Sequence, residues 1–267
     1  MNLASSGAKS FVESHTLRQS FQDDGYIIVR DVLTIREVEA TRIELDDLIR
    51  RRCEGGDGRD AVRPERLTEP HVEEDGDFWL RLCLHPKVLD AAESALGPDL
   101  LLIMSHLIVK RPEDGLAVDW HQDNTYWESI EGTDVITVWL AIDDVDEENA
   151  CMCVIPRSHD GYKHMEMVET QGTLLDRKVE VTAEMEASSV PMILKGGDLS
   201  IHDSFILHNS KANTSSRRRA GYTMRYANAR STRVDVKNHW VPVYLARGDC
   251  DNWRGRYRDG RPDRSTP

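Results

Sequence analysis

From residue 99 onward the chain is a succession of short apolar or alternating runs: "LLLIMSHLIVK", "DVITVWLAID", "CMCVIP", "VPMILKGGDLSIHDSFILH", "AGYTMRYANA" and "WVPVYLA". Turn-like stretches separate them, and no long helical pattern intervenes. Strands that follow one another in this way predict an antiparallel barrel or sandwich over roughly residues 99–245. There is no internal repeat and no long low-complexity segment.

The preceding part reads as helical with one strand. Thr16 and Gln19 have capping-box spacing, and Gly25 can close the short helix after them. "YIIVRDVL" reads as a strand. Thr34 and Glu37 make a second capping box, opening a helix with Ile35, Val38, Leu45 and Leu48 on its apolar side. Pro86 starts a further helix, which Gly97-Pro98 stops. Residues 1–14 read as a loose tail and 53–75 as a mobile surface loop. The arginine-rich segment 246–267 is either a tail or a flap that orders on ligand binding. A chain of 267 residues suits one domain of this kind, 1–267, mainly β with flanking helices.

Charge narrows the partners. The net charge of -13 repels phosphate backbones and anionic membranes, which argues against nucleic acid or a lipid surface. No apolar stretch approaches the roughly 20 residues of a membrane helix, and the first residues lack the apolar core of a signal peptide. Five irregularly spaced cysteines do not make a disulfide framework and fit reduced thiols in a cytoplasmic protein. A small-molecule substrate is the expected partner, with no obligate protein partner.

The segment Leu199–His208 alternates. Leu199, Ile201, Phe205 and Leu207 share one parity; Ser200, His202, Ser204 and His208 share the other. As one regular strand it would pack an apolar face outward and turn a polar face into a lumen.

Ten histidines are too many for all to be functional. In "WHQDNTYW", His121 and Asp123 stand two apart and point to the same side of an extended segment. A third ligand from a neighbouring strand would give two imidazoles and one carboxylate on one face of an ion, the donor set of non-haem Fe(II) oxygenases. Alone, an HxD pair is a weak signal and is better read as a hydrogen-bonded surface pair.

The order and context of "WHQDNTYW…TVWLAIDDVDEENACMCVIPRSH…GDLSIHDSFILHNSKANTSSRRRAGYTMRY" resemble the phytanoyl-CoA dioxygenase family over roughly residues 14–230. That resemblance implies a double-stranded β-helix, a cupin-type jelly roll, behind N-terminal helices. It implies Fe(II) as cofactor with 2-oxoglutarate and O2 as cosubstrates, and a dioxygenase that most simply hydroxylates a C–H bond, releasing succinate and CO2. Carried over, His121, Asp123 and His208 match the iron ligands. Arg219, eleven residues after His208, matches the arginine that grips the far carboxylate of 2-oxoglutarate. A planar guanidinium fork suits that task. Ser210 matches a hydroxyl beside it, and Gln122 and Thr137 match positions lining the same pocket, although Gln122 would face away from the metal in an ideal strand. Asp123 stands where related halogenases have a small residue, which favours hydroxylation.

Other residues have two readings. Asn124, Tyr126 and Trp127 either contact substrate or pack. Arg225 either meets an anionic substrate or pairs with one of the chain's many acids. Arg217 and Arg218 read as solvated. Six extended residues put His202 about 20 Å from His208, too far to share its ion, and it reads as a satisfied interior or rim histidine rather than a substrate contact. His159 reads as structural. Arg157 replaces a turn glycine of the family, so the turn is expected to differ if that glycine has positive φ. The rival functions are another cupin-type metalloenzyme, a Zn or Mn hydrolase or isomerase, and a non-catalytic binding barrel. The substrate is expected to be a small or medium-sized metabolite of a biosynthetic pathway.

Overall fold

The structure is a computed structural model describing residues 16–53, 67–68, 77–113, 115–251 and 253–261. Helix α1 covers residues 16–24 and ends at Gly25, whose φ of 80° only glycine adopts easily. Strand β1 (Tyr26–Val29) leads to helix α2 (Ile35–Cys53). The capping box at its start forms: Glu37 accepts from the Thr34 amide at 2.7 Å and donates its own amide to the Thr34 hydroxyl. Val38, Leu45 and Leu48 are buried as expected, but Ile35, the first residue of α2, is 79% exposed.

Strand β2 (Leu67–Thr68) lies within the segment expected to be a loop and pairs with the central sheet; the rest of 54–76, like the tail 1–14, lies outside the described residues. Helices α3 (Asp77–Cys83) and α4 (Pro86–Leu96) follow. The strands are then β3 (Leu100–Lys110), β4 (Val118–His121), β5 (Ile130–Glu131), β6 (Val135–Ala141) and β7 (Met152–Val154). A hairpin follows, β8 (Met167–Glu169) and β9 (Arg177–Val179), and the short helix α5 (Ala183–Ala187). The remaining strands are β10 (Val190–Pro191), β11 (Leu199–Asp203), β12 (His208–Ser210), β13 (Arg219–Asn228), β14 (Arg233–Val234), β15 (Tyr244–Arg247) and β16 (Arg258–Asp259).

Two sheets result. The larger runs β1-β11-β6-β13-β3-β15-β16 with β2 beside β3, and the smaller runs β10-β7-β12-β4. This is the expected jelly-roll core, with β1 added at one edge. Alternation decides which residues face where. On β6 and β13 the even-numbered residues, Ile136, Val138, Leu140, Tyr222, Met224 and Tyr226, join the core shared with α2, α3 and α4. The odd-numbered Thr137, Trp139, Arg219, Thr223 and Arg225 face the space between the sheets. No helix among the described residues is long and apolar enough to cross a membrane.

The segment 199–208 is not one strand. Leu199 and Ile201 do pack on the helices, and His202 does turn inward. After Asp203, however, the chain turns and crosses to the smaller sheet, where His208 starts β12. Asp203 makes that turn, its carboxylate accepting from the Phe205 amide at 2.8 Å. Burial, with Asp134 adding in the same direction, pushes this carboxyl up to about 7. Because the folded state then holds a proton that the unfolded state has released, stability is full below the unfolded value of 3.8 and falls as pH rises through about 7. Asp203→Asn keeps the acceptor and removes the charge. Its urea midpoint is expected to exceed that of the wild type at about pH 8, with the gain shrinking towards about pH 4. An unchanged or lower midpoint at the higher pH would show that the buried charge is not a burden.

Three further expectations change. Arg217 and Arg218 are not solvated singly: Arg217 grips Asp146 and Glu148, and Arg218 grips Asp143 and Asp46. Arg157 itself adopts φ 66°, so the turn keeps a left-handed residue there without glycine. The C-terminal part is neither tail nor flap as far as residue 261. Cys250 is buried in a second core cluster with Leu101 and Val243, and the Arg258 amide bonds Val243 O at 2.8 Å. His159 is structural as expected, packed where a side chain on Gly25 would fall.

Candidate metal centre and cavity

β12 pairs with β4 so that His208 and His121 are direct neighbours. Asp123 follows two residues later, where β4 gives way to a 3-10 turn, Asp123–Tyr126, that swings the carboxylate back towards both rings. The ligand atoms of His121, Asp123 and His208 all lie within 4.8 Å of one another, and all three residues are buried. Asp123 Oδ1 is 3.8 Å from His121 Nε2 and 3.9 Å from His208 Nε2.

The donor chemistry fits a divalent ion. His121 Nδ1 lies 2.8 Å from Asp119 O, and His208 Nδ1 lies 3.1 Å from Ile206 O. A carbonyl only accepts, so each Nδ1 carries the proton and each Nε2 keeps its lone pair facing Asp123. Burial pushes the two imidazoles down, His121 to about 3 and His208 to about 4, so both are neutral at pH 7. Burial also pushes the Asp123 carboxyl up, but the charge of Arg225 beside it outweighs that and holds the group well below its usual range. The carboxylate is therefore ionised. Its outer oxygen, Oδ2, accepts from Thr137 Oγ1 at 2.5 Å and meets Arg225 Nε at 3.4 Å. Oδ1 is the oxygen left nearest the imidazoles.

A cavity of about 740 Å³ opens on this cluster between the two sheets. At one end lies Arg219, 2% exposed, its guanidinium 4.5 Å above the Trp139 ring. Trp139 lies flat because its neighbour is Gly221, where a Cβ would fall 1.9 Å from the indole. Burial lowers the Arg219 guanidinium to about 10, and its Nε has no partner. A buried cation with an unused donor is costly unless an anion joins it. Ser210 lines the same end, and its hydroxyl accepts from Lys110 Nζ at 2.8 Å. The far carboxylate of a bound dicarboxylate fits these groups.

The expected site residues divide clearly. His121, Asp123, His208, Ser210, Arg219, Thr137, Tyr126, Trp127 and Arg225 all line the cavity. Gln122 does not. Its amide donates to Phe205 O at 2.7 Å and to Lys163 O at 3.1 Å, and accepts from the Met165 amide. It ties loops together on the far side of the strand, as its parity requires. Asn124 is likewise occupied, its side chain donating to Ser204 Oγ at 3.2 Å across the crossover. Arg225 takes both of its alternatives in part: it faces the cavity, and the acid it meets is Asp123 itself.

Residues not anticipated also appear. The turn at 203–207 brings the His202 ring to 4.5 Å from that of His208 and its Nε2 to 3.8 Å from Asp123 Oδ2. At that distance no hydrogen bond forms, and both of its buried ring nitrogens stand without a partner. The Asp-Ser pair after His202, a turn-forming combination, was the available signal. Lys110, the last residue of β3, is fully buried. Leu174, Leu175, Asp176 and Trp240 also line the cavity, Asp176 and Trp240 on its solvent-exposed side, and carry no motif.

The phytanoyl-CoA dioxygenase (PhyH) family model matches residues 21–221. A phytanoyl-CoA dioxygenase domain-containing protein 1 homolog of Caenorhabditis briggsae is 32% identical over 84% of this chain and 94% of its own length. Among solved structures, the non-heme monooxygenase ThoJ superposes with a TM-score of 0.73 at 25% identity, covering 88% of this chain and 84% of its own. The epimerase SnoN, in complex with Fe3+, alpha ketoglutarate and nogalamycin RO, gives 0.65 at 23%, covering 82% and 84%; at that identity the likeness concerns the fold.

Proposed function

The chain belongs to the phytanoyl-CoA dioxygenase family of Fe(II)- and 2-oxoglutarate-dependent oxygenases, and on that premise we propose that it hydroxylates an unactivated C–H bond of a small or medium-sized metabolite, releasing succinate and CO2. The observation that carries this reading is the pairing, in one cavity, of the His121–Asp123–His208 cluster with a buried arginine whose Nε has no partner. A Zn or Mn hydrolase, or a binding barrel, has no need of such an arginine.

When bound, the iron and 2-oxoglutarate supply the O2-dependent oxidation; the chain's own residues bind, orient and shield. His121 and His208, their tautomers fixed by Asp119 O and Ile206 O, offer Nε2 to the ion. Asp123 offers Oδ1, while Thr137 holds Oδ2 and so sets the plane of the carboxylate. Arg219 and the Ser210 hydroxyl take the far end of 2-oxoglutarate, and Lys110 fixes that hydroxyl. Thr137 thus serves the metal carboxylate rather than the cosubstrate. Met104, Tyr126, Trp127, Leu174 and Leu175 keep water from the reacting carbon. Free thiols at Cys83, Cys151, Cys153 and Cys250 are consistent with the reducing cytoplasm as its compartment.

Hydroxylation is separable from other outcomes on the same fold, since SnoN is an epimerase. Under 18O2, a turned-over substrate is expected to gain one labelled oxygen and succinate the other. A product that gains no oxygen, by desaturation or epimerisation, would contradict the hydroxylase reading while leaving the cofactor assignment intact.

A further inference from the structure

The second inward arginine of β13 is not explained by the cosubstrate. Arg219 and Arg225 share one face of the strand, six residues and so about 20 Å of extended chain apart. They cannot grip the same small molecule end. Arg219 sits with Ser210 at one end of the cavity, and Arg225 reaches the metal cluster from the other.

Arg225 is 8% exposed and permanently charged. Its Nη1 meets His106 Nδ1 at 2.8 Å and the Thr223 hydroxyl at 3.1 Å, both neutral acceptors. Its guanidinium lies 5.5 Å from the Trp127 ring centre, a weak cation–π contact. The acid among its hydrogen-bond partners is Asp123, reached only through contacts of 3.4 Å. Asp123 is also the carboxylate that a metal ion claims.

The charges of the loaded cavity therefore do not balance. A divalent ion and a dianionic cosubstrate cancel. Asp123 then stands against Arg219 and Arg225, leaving at least one positive charge in a water-poor space. Lys110 lies deeper and brings no negative charge. Asp176 lies at the mouth, exposed to solvent that screens it. One more negative charge, close to Arg225, would satisfy the site.

Resting on the proposed function, we infer that the substrate is an organic carboxylate whose charged end docks on Arg225. Its body is apolar and fits the aromatic and aliphatic wall of Met104, Tyr126, Trp127, Leu174, Leu175 and Trp240. The guanidinium presents a planar fork to a carboxylate. The volume of about 740 Å³ exceeds what a five-carbon dicarboxylate fills and lies within the range of small-molecule pockets. Arg225 would thus act as a specificity residue that fixes the substrate's distance from the metal cluster.

The test uses the whole protein with Fe(II) and saturating 2-oxoglutarate under anaerobic conditions. 4-Phenylbutanoate and its uncharged isostere 4-phenylbutanamide are titrated in, followed by the visible band of the complex and by tryptophan fluorescence. The wild type is expected to bind the carboxylate at least about tenfold more tightly than the amide. Arg225→Gln should erase the preference and Arg225→Lys retain part of it. Equal affinity, preference for the amide, binding of neither probe, or a preference that survives in Arg225→Gln overturns the inference. If Arg225→Gln does not form the starting band, the wild-type and Arg225→Lys comparisons still decide. Failure of the wild type to form that band is a separate result, one that removes the proposed function itself.

Discussion

Asp123→Ala is expected to abolish substrate-coupled succinate formation and to weaken Fe(II) binding by more than the roughly 10–100-fold that outer partners of metal ligands are worth. Three features of the site set that expectation. Oδ1 lies 3.8 and 3.9 Å from the two Nε2 atoms, so its loss leaves two neutral imidazoles and no anionic donor. The inner position is also not replaceable by a neighbour, because His202 faces the outer oxygen. The substitution further strands Arg225, whose acidic contact disappears. Metal affinity by competition with a chromogenic chelator, together with succinate release, reads both effects. Asp123→Asn separates them: it keeps the shape and the Thr137 contact but not the charge, and should recover little metal affinity. Residual turnover near the wild-type level in either variant would show that the metal sits elsewhere.

Arg219→Met should raise the dissociation constant of 2-oxoglutarate by roughly 30-fold to several thousand-fold, the equivalent of about 2–5 kcal/mol for removing one partner of a buried charge pair. The same change should make the ligand-free protein more stable. Arg219 is 2% exposed, its Nε has no hydrogen-bond partner, and burial pulls its affinity for a proton down. Methionine fills similar space over Trp139 without a charge to desolvate. Opposite signs for ligand affinity and apoprotein stability are the mark of a group kept for binding. A calorimetric melt of the ligand-free variant and a 2-oxoglutarate titration give the two numbers. A variant that is less stable and binds 2-oxoglutarate normally would assign Arg219 to packing.

Much of the site was legible because its residues sit in short, ordered stretches. His121 and Asp123 share a side two residues apart, and the face of β13 that carries Arg219 follows from strand alternation. The same alternation turned Gln122 away from the metal, and the structure agrees with it over the family correspondence. What stayed hidden depends on long-range turns. A ruler of extended residues put His202 far from His208, but a five-residue crossover folds that distance to a ring contact of 4.5 Å. The partner of Arg225 lies 102 residues away in sequence and could not be picked from so many acids. Lys110 ends an apolar run with no motif to mark it, yet its ammonium is buried on Ser210. Helix α3 was not anticipated, and strand β16 lay in a segment that looked like a tail or flap because its arginines dominate the composition. Those arginines in fact staple chain to chain, as Arg256 does to Val234 O at 3.0 Å.

The central claim is that one cavity holds a metal on His121, Asp123 and His208 and a dicarboxylate on Arg219. The most direct measurement is the visible absorption of the purified protein under anaerobic conditions after addition of Fe(II) and then 2-oxoglutarate. The account predicts a weak metal-to-ligand charge-transfer band that requires both additions, is lost in Asp123→Ala, and in Arg219→Met needs far more 2-oxoglutarate to appear. No band in the wild type, or an Arg219→Met titration that overlays it, would contradict the account.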